Sequence, residues 1–310
     1  MNTKPKIVIV VGPTASGKSS LAVEIAKRFD GEIISADSRQ VYRGLDIGTG
    51  KVTNDEMDGV PHHLLDVANP TERYTAANFA RDARTAILEI AAREKLPIIA
   101  GGTGFYIDAF VGRVSVPEVE PNEKLRAELE HKTAVELLEI LRKLDPERAE
   151  TVEQKNPRRL IRAIEIAEAP RLRRDSGRQA GSVPTSEVEP RCLYDALWIG
   201  IDWPDEQLRE RIHERLDTRL KSGMVDEIKM LHENGLSWER MDELGLEYRY
   251  VSQFLRTMLT ECEMRELLER EIWKYAKRQR TYWKRNTDIT WYSPEQTETI
   301  IDCVKTFLIK

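Results

Sequence analysis

The chain has 310 residues, enough for one α/β domain with a smaller appendage, and its 40% hydrophobic content supports a packed core. A charged fraction of 33% implies heavily solvated helices, while a formal charge of −5 argues against nucleic-acid binding over the whole surface. Cys192, Cys262 and Cys303 lie far apart, which offers no zinc site and fits a reducing cytoplasm, and no stretch approaches the ~18 apolar residues of a membrane span.

The first element is Ile7-Val8-Ile9-Val10-Val11, five β-branched residues that read as a buried parallel strand. It ends at Gly12-Pro13, too short for the apolar region of a signal peptide. Gly12-Pro13-Thr14-Ala15-Ser16-Gly17-Lys18-Ser19 follows, and Ser20 to Ala26 continue as a helix. This is G-x-x-x-x-G-K-[ST] in its strand–loop–helix context. Backbone N–H groups and a helix N-terminus can cradle a diphosphate, Lys18 adds a point charge, and the Ser19 hydroxyl can ligate Mg²⁺.

A second strand over Glu32–Ala36 leads directly into Asp37-Ser38-Arg39-Gln40. Ligands of open parallel sheets sit at the carboxyl ends of strands, so Asp37 is placed near the phosphate loop. Its carboxylate can hold Mg²⁺, act as a general base, or cap a helix; position alone leaves these open. Leu45–Lys51 reads as a glycine-broken loop. Pro61-His62-His63-Leu64-Leu65-Asp66 invites a metal reading, but adjacent histidines diverge on any regular element, and a hydrogen-bonding role is favoured. Thr75–Arg93 has a helical apolar period, and Leu96–Ala100 is another buried strand. The latter runs into Gly101-Gly102-Thr103-Gly104-Phe105-Tyr106, without the acid with which a nucleotide triphosphatase organises Mg²⁺ and water. That weakens an ordinary ATPase or kinase reading.

From Val116 the composition changes. Val116–Pro121 reads as a linker and Asn122–Leu144 as helices, with a capping box at Thr133 and Glu136. Asp145-Pro146 and Asn156-Pro157 each look like an N-cap followed by proline at the first helical position. The helix opened by Asn156 presents Arg158, Arg159 and Arg162 on one face. Arg171–Pro190 is polar and expected to be mobile. The expected division is therefore a core of residues 1–117 and 191–310 with a helical insertion at 118–190. Leu197–Ile201 resumes the sheet, and a helix from Glu206 buries Leu208, Ile212, Leu216 and Leu220. Arg211, Arg215 and Arg219 occupy its adjacent face; taken alone, they read as a solvated row paired with Glu206, Glu210 and Glu214. The C-terminal third is helical. Lys274, Lys277, Arg278, Arg280, Lys284 and Arg285 are interleaved there with Trp273, Tyr275, Tyr282 and Trp283, which suits RNA phosphates and bases as well as a core-facing aromatic stripe.

In this order the motifs resemble the tRNA dimethylallyltransferases (tRNA isopentenyltransferases, the IPP transferase family). The resemblance runs through the phosphate loop, then Asp37–Tyr42, Gly44–Thr49, Pro61–Asp66, Gly101–Tyr106 and Arg158–Glu165. It ends at Tyr275-Ala276-Lys277-Arg278-Gln279 with Tyr282-Trp283-Lys284-Arg285-Asn286, and so covers nearly the whole chain. Two positions depart: Arg158 stands where the family often has glutamine, and Gly245-Leu246-Glu247 replaces a Gly-Tyr-x-Glu pattern.

The resemblance implies a P-loop NTPase-like α/β core with a parallel sheet and a mainly helical insertion domain that contacts tRNA. It implies transfer of a dimethylallyl group from dimethylallyl diphosphate to N6 of the adenosine immediately 3′ of the anticodon, in tRNAs reading codons that begin with U. Gly12 to Ser19 with Arg215 would hold the diphosphate, Mg²⁺ would sit on Ser19, and Asp37 and Thr103 would be catalytic. Asp37, Ser38, Arg39, Gln40, Thr103, Arg126, Arg158, Arg159, Leu160, Ile161, Arg162, Lys277, Arg278 and Lys284 would meet the anticodon stem-loop. No membrane is expected as a partner, and the assembly is expected to be a monomer. The rivals are a relative that prenylates free adenine nucleotides, a small-molecule P-loop kinase, and a non-catalytic RNA-binding protein.

Overall fold

The computed structural model describes residues 4–114, 116–117, 119, 122–169 and 193–309. The expected mobile stretch Arg171–Pro190 lies outside them, as do Cys192 and Glu118, Glu120 and Pro121 of the expected linker. The chain divides into two compact units, Met1–Val114 with Pro190–Lys310, and Ser115–Glu189.

The larger unit opens with β1 (Lys6–Val11), α1 (Lys18–Arg28), β2 (Gly31–Ser35), the one-turn α2 (Asn54–Met57) and β3 (His62–His63). It continues with α3 (Ala76–Ala92), β4 (Leu96–Gly101) and α4 (Gly104–Val111). The smaller unit holds α5 (Glu123–Leu129), α6 (Ala134–Leu144), α7 (Pro146–Thr151) and α8 (Pro157–Glu168). The larger unit then resumes with β5 (Asp195–Ile201), α9 (Asp205–Lys221), α10 (Met224–Glu233), α11 (Trp238–Leu244), α12 (Leu246–Leu255), α13 (Glu261–Trp283), β6 (Thr290–Tyr292) and α14 (Thr297–Ile309).

The strands form one sheet in the order β3-β2-β4-β1-β5-β6, every pair parallel. Ile9 of β1 lies between Ile99 of β4 and Trp198 of β5. Ile7 to Val11 are completely buried, each side chain worth about 1.5–3 kcal/mol of burial, which is why an unbroken β-branched run occupies the centre of a sheet covered on both faces. One face is covered by α1 and α14 through Leu21, Ile25, Ile300 and Val304. A second cluster unites α9 to α13 through Leu208, Ile212, Leu216, Ile228, Tyr248, Leu268 and Trp273. The helical period read from Thr75–Arg93 matches α3, where Phe79, Ala83, Ile87 and Ile90 are buried behind a Thr75–Asn78 capping box. Among the described residues no helix is long and apolar enough to cross a membrane.

In the smaller unit the capping box at Thr133 and Glu136 and the N-caps Asp145 and Asn156 form as their sequences predict. Leu129, Leu137, Leu141, Leu160, Ile161 and Ile164 make its core. Beside that core the buried Glu165 carboxylate accepts hydrogen bonds from Arg126 Nε (2.7 Å), Arg162 Nη1 (3.2 Å) and the Asn122 N–H (2.9 Å). Burial would raise its pKa, yet these donors hold it below the usual carboxylate value. Stability from this cluster is therefore present at neutral pH and lost as pH falls through the Glu165 pKa. Arg126→Met is expected to destabilise the unit by about 3–5 kcal/mol by leaving a buried charge unpaired. Faster hydrogen exchange across 122–169 would register this; unchanged protection would show that water or Arg162 takes over.

Candidate active site

Four strands deliver their turns to one edge of the sheet. β1 ends in the phosphate loop, β2 in Asp37, β4 in Thr103 and β5 in Asp202-Trp203. Beside the phosphate loop opens a cavity of about 420 Å³, lined by the loop together with Asp37, Gln40, Gly50, Arg215, Tyr275 and Gln279. The loop turns through Gly17 at φ +88° into α1. Its carbonyls are tied from behind: Ala15 O accepts from Arg211 Nε (2.9 Å), and Ser16 O from Trp203 Nε1 (3.0 Å). The Arg211 guanidinium also lies over the Trp203 ring, 4.6 Å from its centroid.

The arginine row of α9 is thus turned inward, which corrects the reading of a solvated face paired with its neighbouring glutamates. Arg215 donates to Thr14 Oγ1 (3.2 Å) and Gly50 O (3.3 Å). Arg219 is bonded to Glu247 (3.2 Å) and to the carbonyls of Gly48 and Thr49. Arg211 and Arg215 both line the cavity, Arg211 also bracing the loop through Ala15 O, while Arg219 holds the 48–50 turn. Burial, then repulsion from Arg215 and Arg219 partly offset by Asp37, lowers Lys18 to a pKa of about 8. Burial and Arg219 lower Arg215 to about 10. Two cations held against each other in this way favour a polyanion between them.

Asp37 caps no helix. Its Oδ1 accepts from the N–H groups of Arg39 (2.8 Å) and Gln40 (3.3 Å), and so fixes a turn. Thr103 Oγ1 accepts from the Ser38 N–H (3.0 Å), which brings the β2 and β4 turns together. Burial and the Asp37 charge raise the pKa of the Tyr275 phenol and keep it protonated. Ser19 is exposed at the cavity, and among the described residues no three of His, Cys, Asp or Glu gather to hold a metal. That donor set fits a Mg²⁺ bound chiefly through diphosphate oxygens and water, with the Ser19 hydroxyl as the protein's ligand. His63 Nε2 pairs with Glu32 (2.6 Å) and His62 Nδ1 donates to Val60 O (2.8 Å), the hydrogen-bonding role favoured for this pair.

The remaining sequence candidates fall into two groups. Lys277, Arg278 and Lys284 are exposed on and just after α13, and Arg158 and Arg159 are exposed on α8. Leu160 and Ile161, by contrast, are 0% and 8% exposed inside the smaller core, so neither side chain can reach RNA. Arg126 and Arg162 are engaged by Glu165, and Arg162 also donates to Val119 O. Arg280 is locked onto Asp202, Asp205 and Trp203 O, and Lys274 onto Glu271, which removes both from the expected basic surface. Two residues escaped the sequence reading. Gln279 accepts from the Thr14 N–H (2.8 Å) and donates to Gly102 O (3.0 Å). Glu227 accepts from the N–H groups of Asp46, Ile47 and Gly48. Gln279 left a signal: it is a polar residue on the buried stripe of Ile272, Ala276 and Trp283.

A phosphate loop at the carboxyl edge of a parallel sheet, with helix-borne arginines folded onto it, defines a P-loop NTPase-like α/β protein. The sequence model of the family described as IPP transferase matches residues 40–286. The chain is 43% identical to tRNA dimethylallyltransferase 2 of Trichlorobacter lovleyi over 90% of its length and 88% of that protein's. It is 42% identical to tRNA dimethylallyltransferase 2 of Treponema denticola over 92% and 93% of the two chains. The crystal structure of the full-length tRNA isopentenylpyrophosphate transferase from Bacillus halodurans superposes with a TM-score of 0.72 at 34% identity, covering 98% of this chain and 97% of that one. The chain belongs to the IPP transferase family.

Proposed function

We propose that the protein transfers a dimethylallyl group from dimethylallyl diphosphate to N6 of the adenosine immediately 3′ of the anticodon, in tRNAs that read codons beginning with U. The observation that carries this reading is the pairing, across one cavity, of a diphosphate loop faced by Lys18 and Arg215 with the Asp37 carboxylate, whose turn is joined to Thr103 through the Ser38 N–H. In the reaction the bond between C1 of the prenyl group and the diphosphate oxygen breaks, and a bond forms from N6 to C1. The N6 proton passes to the Asp37 carboxylate, because the amine's lone pair is delocalised into the ring and the nitrogen sheds its proton as it is alkylated. Lys18, Arg215 and the loop N–H groups take up the charge on the leaving diphosphate, and Thr103 orients the amine. Mg²⁺, held by Ser19 and the diphosphate, would add further charge neutralisation.

The exposed Lys277, Arg278 and Lys284, with Arg158 and Arg159 of the insertion, are proposed to meet the anticodon stem-loop, and the protein to work as a cytoplasmic monomer. The target base must leave its stack, at a cost of a few kcal/mol that phosphate contacts offset. Incubating tRNA with the protein, Mg²⁺ and dimethylallyl diphosphate, then weighing its nucleosides, tests the reading; prenylated adenosine from tRNA, and none from free AMP, is expected. Reversing Lys277 and Arg278 together should flatten the dependence of log affinity on log salt by about 0.7–0.9 per lost phosphate contact. A gel shift across salt concentrations with an unchanged slope would remove α13 from the RNA surface.

A further inference from the structure

The proposed reaction needs its two halves held at a fixed separation: the amine beside Asp37 and Thr103, the leaving group in the phosphate loop. Each half is built on a different strand, and a shift of about 1 Å between them is enough to slow chemistry by ~10²-fold. The Asp37 turn is joined to the Thr103 turn by the Ser38 N–H on Thr103 Oγ1 (3.0 Å) and the Thr103 N–H on Ala36 O (3.2 Å). Beside the pairing of β1 with β4 in the sheet, a buried side chain ties these turns to the phosphate loop. Gln279 Nε2 donates to Gly102 O, and its Oε1 accepts from the Thr14 N–H. Gln279 is 6% exposed, and removing its amide would take away the partner of both the Gly102 carbonyl and the Thr14 N–H. The fit is close: a side chain on Gly102 would overlap the Gln279 amide, and one on Gly101 would overlap Ala36. α13, which carries Gln279, is itself anchored to the turn after β5 by Arg280 on Asp202 and Trp203 O, so the amide extends from a fixed post.

We propose that Gln279 is a positioning residue that sets the spacing between the carboxylate turn and the phosphate loop. It touches neither reacting atom in this scheme; it acts through Gly102 and Thr14. This inference rests on the proposed transfer reaction for its consequence and on the hydrogen bonds alone for its geometry. A side chain serving only the packing of α13 would affect the fraction of folded protein and leave the chemistry of each folded molecule intact.

The test uses Gln279→Met, which keeps volume and loses both hydrogen bonds, and Gln279→Asn, which keeps the amide but shortens its reach. Single-turnover transfer at saturating tRNA and dimethylallyl diphosphate is expected to fall about 10–100-fold in the Met variant, per folded molecule, and less in the Asn variant. Affinities for tRNA and for pyrophosphate should stay within about threefold of wild type, a split that a folding defect would not produce. Hydrogen exchange at Thr14 should accelerate in both variants without substrates present. Should the Met variant fold poorly, the Asn variant carries the same comparison. Single-turnover rates near wild type in the folded variants would overturn the proposal, as would losses fully explained by weaker binding. If the wild type itself yields no prenylated adenosine, the transfer reading fails instead; exchange at Thr14 then still decides whether Gln279 holds the loop, and unchanged protection overturns that too.

Discussion

Asp37→Asn is expected to slow single-turnover transfer by about 10²–10⁴-fold, roughly 3–5 kcal/mol of barrier, with both substrates still bound. The amide is the better probe than alanine for a structural reason. Asp37 Oδ1 holds the N–H groups of Arg39 and Gln40, and an asparagine oxygen keeps both bonds while abolishing basicity. Alanine would also release the turn and with it the Ser38–Thr103 bond. If the carboxylate instead serves the metal, affinity for the diphosphate should collapse in the amide variant and extra Mg²⁺ should partly restore the rate. A wild-type rate would take Asp37 out of the chemistry altogether.

Arg215→Ala should weaken a non-reactive dimethylallyl thiodiphosphate by about 2–5 kcal/mol, the cost of truncating one member of a buried charge pair. Its pH dependence carries a second signature. In the ligand-free protein Lys18 loses its proton near pH 8, because it is buried and faces Arg215. A bound diphosphate stabilises the protonated ammonium and raises that pKa. Affinity in the wild type is then greatest below about pH 8 and declines as pH rises through the free-state value. Removing Arg215 relieves the repulsion, so the decline should begin at higher pH although binding is weaker throughout. Titration calorimetry at a series of pH values reads both effects. A decline that stays at the same pH would show that Arg215 does not set the Lys18 pKa.

Much of this architecture is legible in the amino-acid order because local chemistry dictates it. Five β-branched residues before Gly12 can only be a covered strand in this context, and Thr133 with Glu136, or Asn156 with Pro157, specifies a helix start without tertiary help. What periodicity cannot give is the partner of a face. Arg211, Arg215 and Arg219 repeat at the spacing of an exposed, ion-paired row, and only the packing of α9 against the phosphate loop and the 48–50 turn directs them inward. Arg126 and Arg162 look available for phosphates until Glu165, distant from Arg126 in sequence, is seen to occupy them. Gln279 is the converse case: a polar residue on an apolar stripe announces a buried partner, but the sequence does not say which one.

The end of β4 bears on how this protein could change over evolutionary time. Triphosphate hydrolysis would call for an acid near this position to organise metal and water. At Gly101 the space beyond Cα belongs to the Ala36 carbonyl, and at Gly102 to the Gln279 amide. An acidic side chain at Gly101 would have to displace the Ala36 backbone that leads to Asp37, and one at Gly102 would have to displace the Gln279 amide. A lineage carrying this glycine pair gains such an acid only by disturbing the Asp37 turn or the bonds of Gln279.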